Sequence, residues 1–388
     1  MSATFTISTQ ALEEQLETIA ASGNIFIESP MWLNLKPSLV SFAKKLQATT
    51  PVILLTADDV AERAFAAAGA QALTASEIIP ALSQPADKPF VATAQNLALA
   101  IIETYGPAAQ WLRDARVLDA NEIDVLIEDL KVSGLKPGRL KEMLKFFYKS
   151  IADGKAEEAY WLITTEEQQV FAILEENLEA RRALLPCEVS TQALRLWNSL
   201  TDELRATVAE ALPEDLVIIA DDFGSNGAQT QNLIATVVQD TLIAVTTESE
   251  GANAQEVYPA HEHAKALQAA ADTVFAIEAA EPTRKAQSSH YANPNEEFDA
   301  IAAQASQALT NGTQSVLIAV PNQIWAKHIQ GALTDLNVEA VLDFETAKVK
   351  GDPRDPKRCN ALREAALAKL RRNPKDFTAL RSWIGLGD

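Results

Sequence analysis

Cysteine is nearly missing from this 388-residue chain: the only two, Cys187 and Cys359, stand far apart and belong to no CxxC or Cys/His cluster. That spacing excludes a disulfide framework and a cysteine-built zinc site, and reads as two ordinary thiols. Long apolar runs are missing too. No stretch reaches the ~18–20 residues of a membrane helix, and the opening MSATFTISTQALEEQ lacks a basic segment followed by an apolar one. A cytoplasmic protein is therefore expected. Positive charge is scarce overall, with 33 Lys and Arg against 53 Asp and Glu for a net charge of −20. Such a surface repels phosphates, so any nucleic-acid contact must be local. Core material is not scarce: hydrophobic residues at 47% against 22% charged exclude wholesale disorder and supply at least two cores of ordinary size.

The basic residues are gathered rather than spread. Lys131, Lys136, Arg139, Lys141, Lys145 and Lys149 face a single acid, Glu142, within their stretch, and a second island of eleven basic and four acidic residues runs from Lys348 to Arg381. In RLKEMLKFFYKS, Lys141, Lys145 and Lys149 recur at i+4 and form one helical stripe away from Leu140, Leu144 and Phe147. A phosphate-tracking ridge and a plain solvated face both fit that pattern. Trp111, Trp161, Trp197 and Trp325 stand at apolar-face positions and read as core rather than as base-stacking platforms.

The first ninety residues alternate as a parallel α/β unit does, with strands expected near Ile25 to Ile27 and Val52 to Thr56 and a strand running into a helix capped by Thr74 or Ser76. From Pro89 to Leu212 only helical periodicity is evident. The α/β pattern resumes in DLVIIADD and DTLIAVTTE, joined by the crossover helix QTQNLIATVVQ. A polar linker follows Glu281. Beyond it come two helices, strands near Val316 to Val320 and Val338 to Leu342, and a basic helical tail. The domains expected are 1–90 and 213–281 as two parts of one sheet domain, 91–212 as a helical insert, and 290–388 as a partial second α/β domain.

VIIADDFG places Asp221 and Asp222 at the end of an apolar strand. A carboxylate there faces the ligand crevice of an open α/β sheet, where a hard cation seeks oxygen ligands. Acids also cap strand ends for solubility, and the pattern alone fits both. VIIADDFGSNGAQTQNLIATVVQDTLIAVTTE resembles the Walker B region of UvrD/Rep-type superfamily 1 DNA helicases, and the order of the other segments agrees. ALEEQLETIA puts Gln15 where that family reads adenine. NIFIESPMWLNLKPSL occupies the place of the phosphate loop, with Lys36 as its lysine, PVILLTADDVAERA that of a single-stranded DNA contact segment, and ALTASEIIPAL that of the next, Thr-containing one.

The resemblance implies a RecA-like P-loop NTPase-type parallel sheet with a helical insert and a partial second RecA-like domain. It further implies ATP and Mg²⁺ as cofactors, Asp221 as metal ligand with Asp222 in the catalytic acid's place, and DNA as partner, contacted by Lys136, Arg139, Lys141, Lys145 and Lys149. The departures bear on activity. ESPMWLNLKPSL has no glycine, places Met31, Trp32 and Leu33 where small residues belong, and follows Lys36 with Pro37 in place of Ser or Thr. By that chemistry Lys36 reads as a surface lysine. TTESEGAN, from Thr246 to Asn253, replaces the family's third motif, and the arginine expected after it is missing from VYPAHEHAKAL. His261 and His263 at i, i+2 on a helix do not converge on a metal.

The leading expectation is a helicase homologue with a decayed ATP site that binds DNA or scaffolds a partner in repair or recombination. An ATPase subunit completed by a partner chain, and an interaction protein without a nucleic-acid role, are the alternatives. Two lone strands at the C-terminal end cannot complete a sheet, so the chain is expected to be a fragment or to need a protein partner.

Overall fold

A computed structural model describes residues 3–8, 12, 14–16, 23–30, 33–84, 86–158, 160–208, 211–238, 241–247, 261–278, 289–313, 316–320 and 323–340. Two compact units divide after Glu281. The first is built on one eight-stranded, all-parallel sheet in the order β1-β8-β2-β7-β6-β3-β5-β4. Its strands are β1 (Ala3–Ser8), β2 (Gly23–Ser29), β3 (Val52–Thr56), β4 (Gln71–Ala72), β5 (Phe90–Thr93), β6 (Val217–Ala220), β7 (Thr241–Thr247) and β8 (Thr273–Glu278). The expected α/β fold with a parallel sheet is present, and this architecture is consistent with a RecA-like sheet.

Parallel strands buried on both faces read as continuous apolar runs, and VIIA and VILLT are buried at every position. Alternate residues supply two different cores. Ile25, Ile27, Val52, Leu54, Val217, Ile219, Ile243 and Val245 pack on one face with Leu39, Phe42 and Phe65 from helices α1 (Lys36–Leu46) and α2 (Asp59–Ala67). Phe26, Ile53, Leu55, Ile218, Ala220, Leu242 and Ala244 pack on the other. Their partners there come from α3 (Ala75–Leu82) and α4 (Ala94–Tyr105), and from the later α8 (Val189–Ser199), α10 (Ala228–Val237) and α11 (His261–Ala269). Thr74 caps α3 in a reciprocal box with Glu77, whose Oε2 accepts the Thr74 N–H at 3.0 Å.

Between α4 and α8 the chain builds α5 (Ala120–Leu130), α6 (Pro137–Ala152) and α7 (Thr165–Ala180) around a separate core of Leu126, Leu130, Leu140, Leu144, Phe147, Leu174 and Leu178. Buried Arg113 fastens this segment, donating to Glu188 at 2.9 Å and to Glu175 at 2.7 Å. A short α9 (Asp202–Thr207) leads toward β6. The expectation of helix alone from Pro89 to Leu212 is corrected: FVAT is strand β5, a sheet member between β3 and β4, and α4 and α8 pack on the sheet's own core. Four apolar residues running straight into a helix carry too little period-2 signal to separate them from it. β1 and β8, which pair at one edge of the sheet, also escaped the sequence reading.

In the second unit α12 (Pro294–Thr310) packs on α13 (Gln323–Asp335) through Phe298, Ala302, Ile329 and Leu333. The expected strands near Val316 to Val320 and Val338 to Leu342 are corrected. Residues 316–320 and 338–340 are not strands, although Ile318, Val320, Val338 and Ala340 do pack against the helix pair, and 341–342 lie outside the described residues. Apolar content was legible there, but nothing local supplies a ladder neighbour. The basic island from Lys348 to Arg381 also lies outside the described residues.

Candidate functional site

The strands of a parallel sheet all end on one edge, and the helices that follow them leave on either face. β2 is followed by α1 on one face, whereas the next described helix after its neighbour β7 is α11, on the other. The crevice of an open sheet lies where that direction switches, outside the carboxyl ends of the strands. Polar residues collect there. Thr56 and Thr93 are register partners, and Asp221 follows Ala220, the partner of Leu55. Ser29 and Thr247 pair one pleat further along. All five continue the alternation of the α1 and α2 face, and Ser29, Thr56, Thr93 and Asp221 are buried.

Lys36 and Asp221 meet in this collar. Lys36 opens α1, and its Nζ lies 2.9 Å from Asp221 Oδ2, with the aspartate side chain 10% exposed and the lysine side chain 27%. The reading of Lys36 as a surface lysine is thereby corrected: its half-buried ammonium pairs with the buried Asp221 and lies 5.4 Å from the centre of the Phe65 ring. Asp222 stands in the left-handed region at φ 49°, ψ 45°, a conformation that Asp tolerates better than most residues. Thr247 Oγ1 donates to its Oδ1 at 3.3 Å. Burial lifts the Asp222 carboxyl above its ordinary range and Asp221 adds to the lift, while Ser225, Thr247 and Lys36 pull it back. Glu62 on α2 is an acid the sequence reading passed over. Burial and the Asp59 charge raise its carboxyl to about 7, against the Thr93 N–H and Arg63.

The described part of the loop that holds Lys36 differs from a phosphate cradle. A cradle needs successive free N–H groups. Here the Leu33 N–H donates to Pro30 O at 3.0 Å, the Lys36 N–H donates to Asn34 Oδ1 at 3.2 Å, and Pro37 has no N–H. The lysine itself is paired with Asp221, while among the described residues the Asn34 and Leu35 N–H groups have no acceptor; Met31 and Trp32 lie outside them. Gln15 is exposed on a helical stretch whose Leu12 and Leu16 are buried, and among the described residues no hydrogen bond joins it to Lys36 or Asp221. In TTESEGAN, residues 248–253 are likewise outside. His263 is bonded to Asn232 at 2.8 Å, and no group of three or more metal-ligating side chains occurs among the described residues.

The expected nucleic-acid residues lie on α6 and its N-cap, away from this collar in sequence. Lys136, Arg139, Lys141, Lys145 and Lys149 are all exposed. Arg139 is engaged by Glu166 at 3.2 Å and Glu142 at 3.6 Å. Lys141, Lys145 and Lys149 have no acidic partner among the described residues. Phe146 is exposed beside them, its ring 6.0 Å from that of half-buried Trp161, and Tyr160 is 93% exposed. The core assignment holds for Trp197, at 5% exposure, whereas Trp111, Trp161 and Trp325 are half-buried. No helix among the described residues is long and apolar enough to cross a membrane. No protein-family model matches the chain, and no curated protein is significantly similar to it.

Proposed function

We propose that this chain is a UvrD/Rep-like homologue that has lost nucleotide-driven movement and acts as a DNA-binding or scaffolding protein in repair or recombination. The observation that carries the reading is the Lys36–Asp221 ion pair. In a working motor the lysine serves phosphate oxygens and the aspartate serves the metal; here each neutralises the other, in a loop where Pro30 and Asn34 take the Leu33 and Lys36 N–H groups. Such a pair offsets the charge of the buried Asp221 carboxylate without a ligand. The role left to the chain is contact, and the lysine stripe of α6 supplies it. Three ammonium groups at one-turn spacing, with no acidic partner among the described residues, track a phosphate backbone, and exposed Phe146 and Tyr160 offer faces on which bases stack.

Fluorescence anisotropy with a labelled single strand at ~50 mM salt tests the reading, since even modest phosphate contacts register there. Wild type is expected to bind in a salt-sensitive manner. Reversal of Lys141, Lys145 and Lys149 to Glu lowers the salt slope by about 2, near 0.7 per lost contact. No salt-sensitive binding by wild type defeats the nucleic-acid role, and unchanged binding by the triple variant moves the contact off α6. Magnesium-dependent, DNA-stimulated ATP hydrolysis that disappears in Asp221→Ala overturns the loss of the motor.

A further inference from the structure

A second concave site opens where the helical segment meets the carboxyl edge of the sheet, lined there by Ala57, Ala94 and Ser225, which adjoin Thr56, Thr93 and Asp222 of the collar. It is a cleft of about 240 Å³ onto which three helices open by their N-termini: α4 through Ala94 and Gln95, α8 through Val189 and Ser190, and α10 through Gly227, Gln229 and Thr230. These helices are 12, 11 and 10 residues long, and none carries an acidic residue in its first turn. Each contributes a partial positive charge and unpaired N–H groups at its start. At α10 the cap is glycine without a side-chain bond, and among the described residues the N–H groups of Ala228, Gln229 and Thr230 have no acceptor. Glu188, which precedes α8, does not fill the gap, because its carboxylate is spent on Arg113 and the Leu185 N–H.

The side chains complete the donor set. Gln229 is only 8% exposed, lines the cleft, and among the described residues has no hydrogen-bond partner for its amide. An amide without a protein partner on this cleft can bond to whatever occupies it. Its Nε2 packs against Gly154, where a Cβ would collide with it. Across the cleft the hydroxyls of Ser190 and Thr230 are 2.8 Å apart, so one of them keeps a proton to give outward. No cationic side chain lines the site. Convergent backbone N–H groups, one primary amide and hydroxyls suit an acceptor-rich, compact anion, and a phosphate group offers three or four oxygens to such a ring of donors. We propose that this cleft binds a phosphate group, carried by a free phosphate ester or by a nucleic-acid strand.

Orthophosphate is the probe, titrated calorimetrically into the full chain against chloride-matched buffer. Gly227→Asp is the decisive variant. Gly227 has φ −63°, which any residue adopts, and a Cβ there would meet only Ala152 O at 3.4 Å. An aspartate at this cap takes the free N–H groups of α10 and brings a like charge, without loss of helix stability. The expected result is an unchanged or higher melting temperature with phosphate binding abolished. Gln229→Leu weakens binding about tenfold, as loss of one bond to a charged group does. Competition by a single-stranded oligonucleotide, lost in Gly227→Asp, assigns the phosphate to a strand; binding of orthophosphate with no such competition assigns it to a free ester. No orthophosphate binding by wild type at ~10 mM, a concentration at which even millimolar sites fill, overturns the proposal, as does equal affinity in wild type and both variants.

Discussion

Replacing Lys36 by Met tests whether the crevice is held by an internal ion pair. At 2.9 Å and an effective dielectric constant near 20, the gross attraction is roughly 6 kcal/mol. Most of it is cancelled by the cost of withdrawing the Asp221 carboxylate from water. Exposed pairs contribute up to ~1 kcal/mol, and breaking a fully buried pair costs ~3–5 kcal/mol. With the lysine side chain 27% exposed and the aspartate 10%, Lys36→Met falls between these limits and should cost about 1–3 kcal/mol. Asp221→Asn alone should cost about 1 kcal/mol, since the lysine stem can carry its ammonium back to water. The double variant should recover part of the sum, with a coupling of about 1–2 kcal/mol. Urea denaturation at constant m-value gives all four corners of the cycle. The Asp222 carboxyl, which Lys36 holds down, should titrate higher in Lys36→Met. Additive single effects, or a Lys36→Met cost under ~0.5 kcal/mol, the usual size of a surface substitution, would refute the pairing and with it the reading of a self-neutralised site.

Two further outcomes follow from buried charge. Glu62, whose carboxyl is lifted to about 7, binds its proton more tightly when folded than when unfolded; the native state therefore holds the extra proton between its ordinary pKa and 7, and stability should fall as pH rises through that window and level off above it. Because the group is half-buried, the discounted size is roughly 1–2 kcal/mol, and Glu62→Gln should remove the slope in melts between pH 5 and 8; a slope that survives assigns it to another group. Arg113→Met strands Glu188, which is 2% exposed, and should cost about 3–5 kcal/mol. The pair variant with Glu188→Gln should cost clearly less, and equal melting temperatures for the two would mean that Glu188 is not held by Arg113.

The sheet was legible where its strands are apolar on both faces. VILLT, VIIA and LIAVTT could be read because short β-branched-rich runs with four or more consecutive apolar residues, bounded by acids or proline, fit little else, and helix α3 was legible through the Thr74/Glu77 box. FVAT failed because it runs directly into α4 with Thr93 as the helix cap. ATFTIS failed because an edge strand with alternating threonines looks polar. At the site the chemistry of single residues was legible but their meeting was not. Asp221 stands out as an acid at a strand end, whereas Lys36 looks exposed in a loop without glycine until the parallel register brings β2 and β6 to the same edge with β7 between them. Glu62 carried no motif at all. Its raised affinity for protons arises from burial beside Thr93, a neighbour 31 residues away that only the β3–β5 pairing supplies.

Conflicts between local rule and fold gather at functional places, and here they gather at one edge. A left-handed aspartate, a half-buried lysine paired with a buried aspartate, and a half-buried glutamate sit at the carboxyl ends of β6, β3 and β5, while the amino ends of the same strands carry no comparable collection among the described residues. Each of these features costs stability on its own: the left-handed residue by about 1 kcal/mol, the charges by more. A chain that needed only a scaffold could replace Asp221, Asp222 and Lys36 by apolar residues and gain from it, as buried ion pairs exchanged for hydrophobic packing often do. That edge therefore separates the two halves of the functional reading by stability alone. If the apolar triple substitution of these residues stabilises the fold and leaves single-strand binding intact, contact through α6 is the whole activity; if binding falls while α6 is untouched, the crevice still takes part in it.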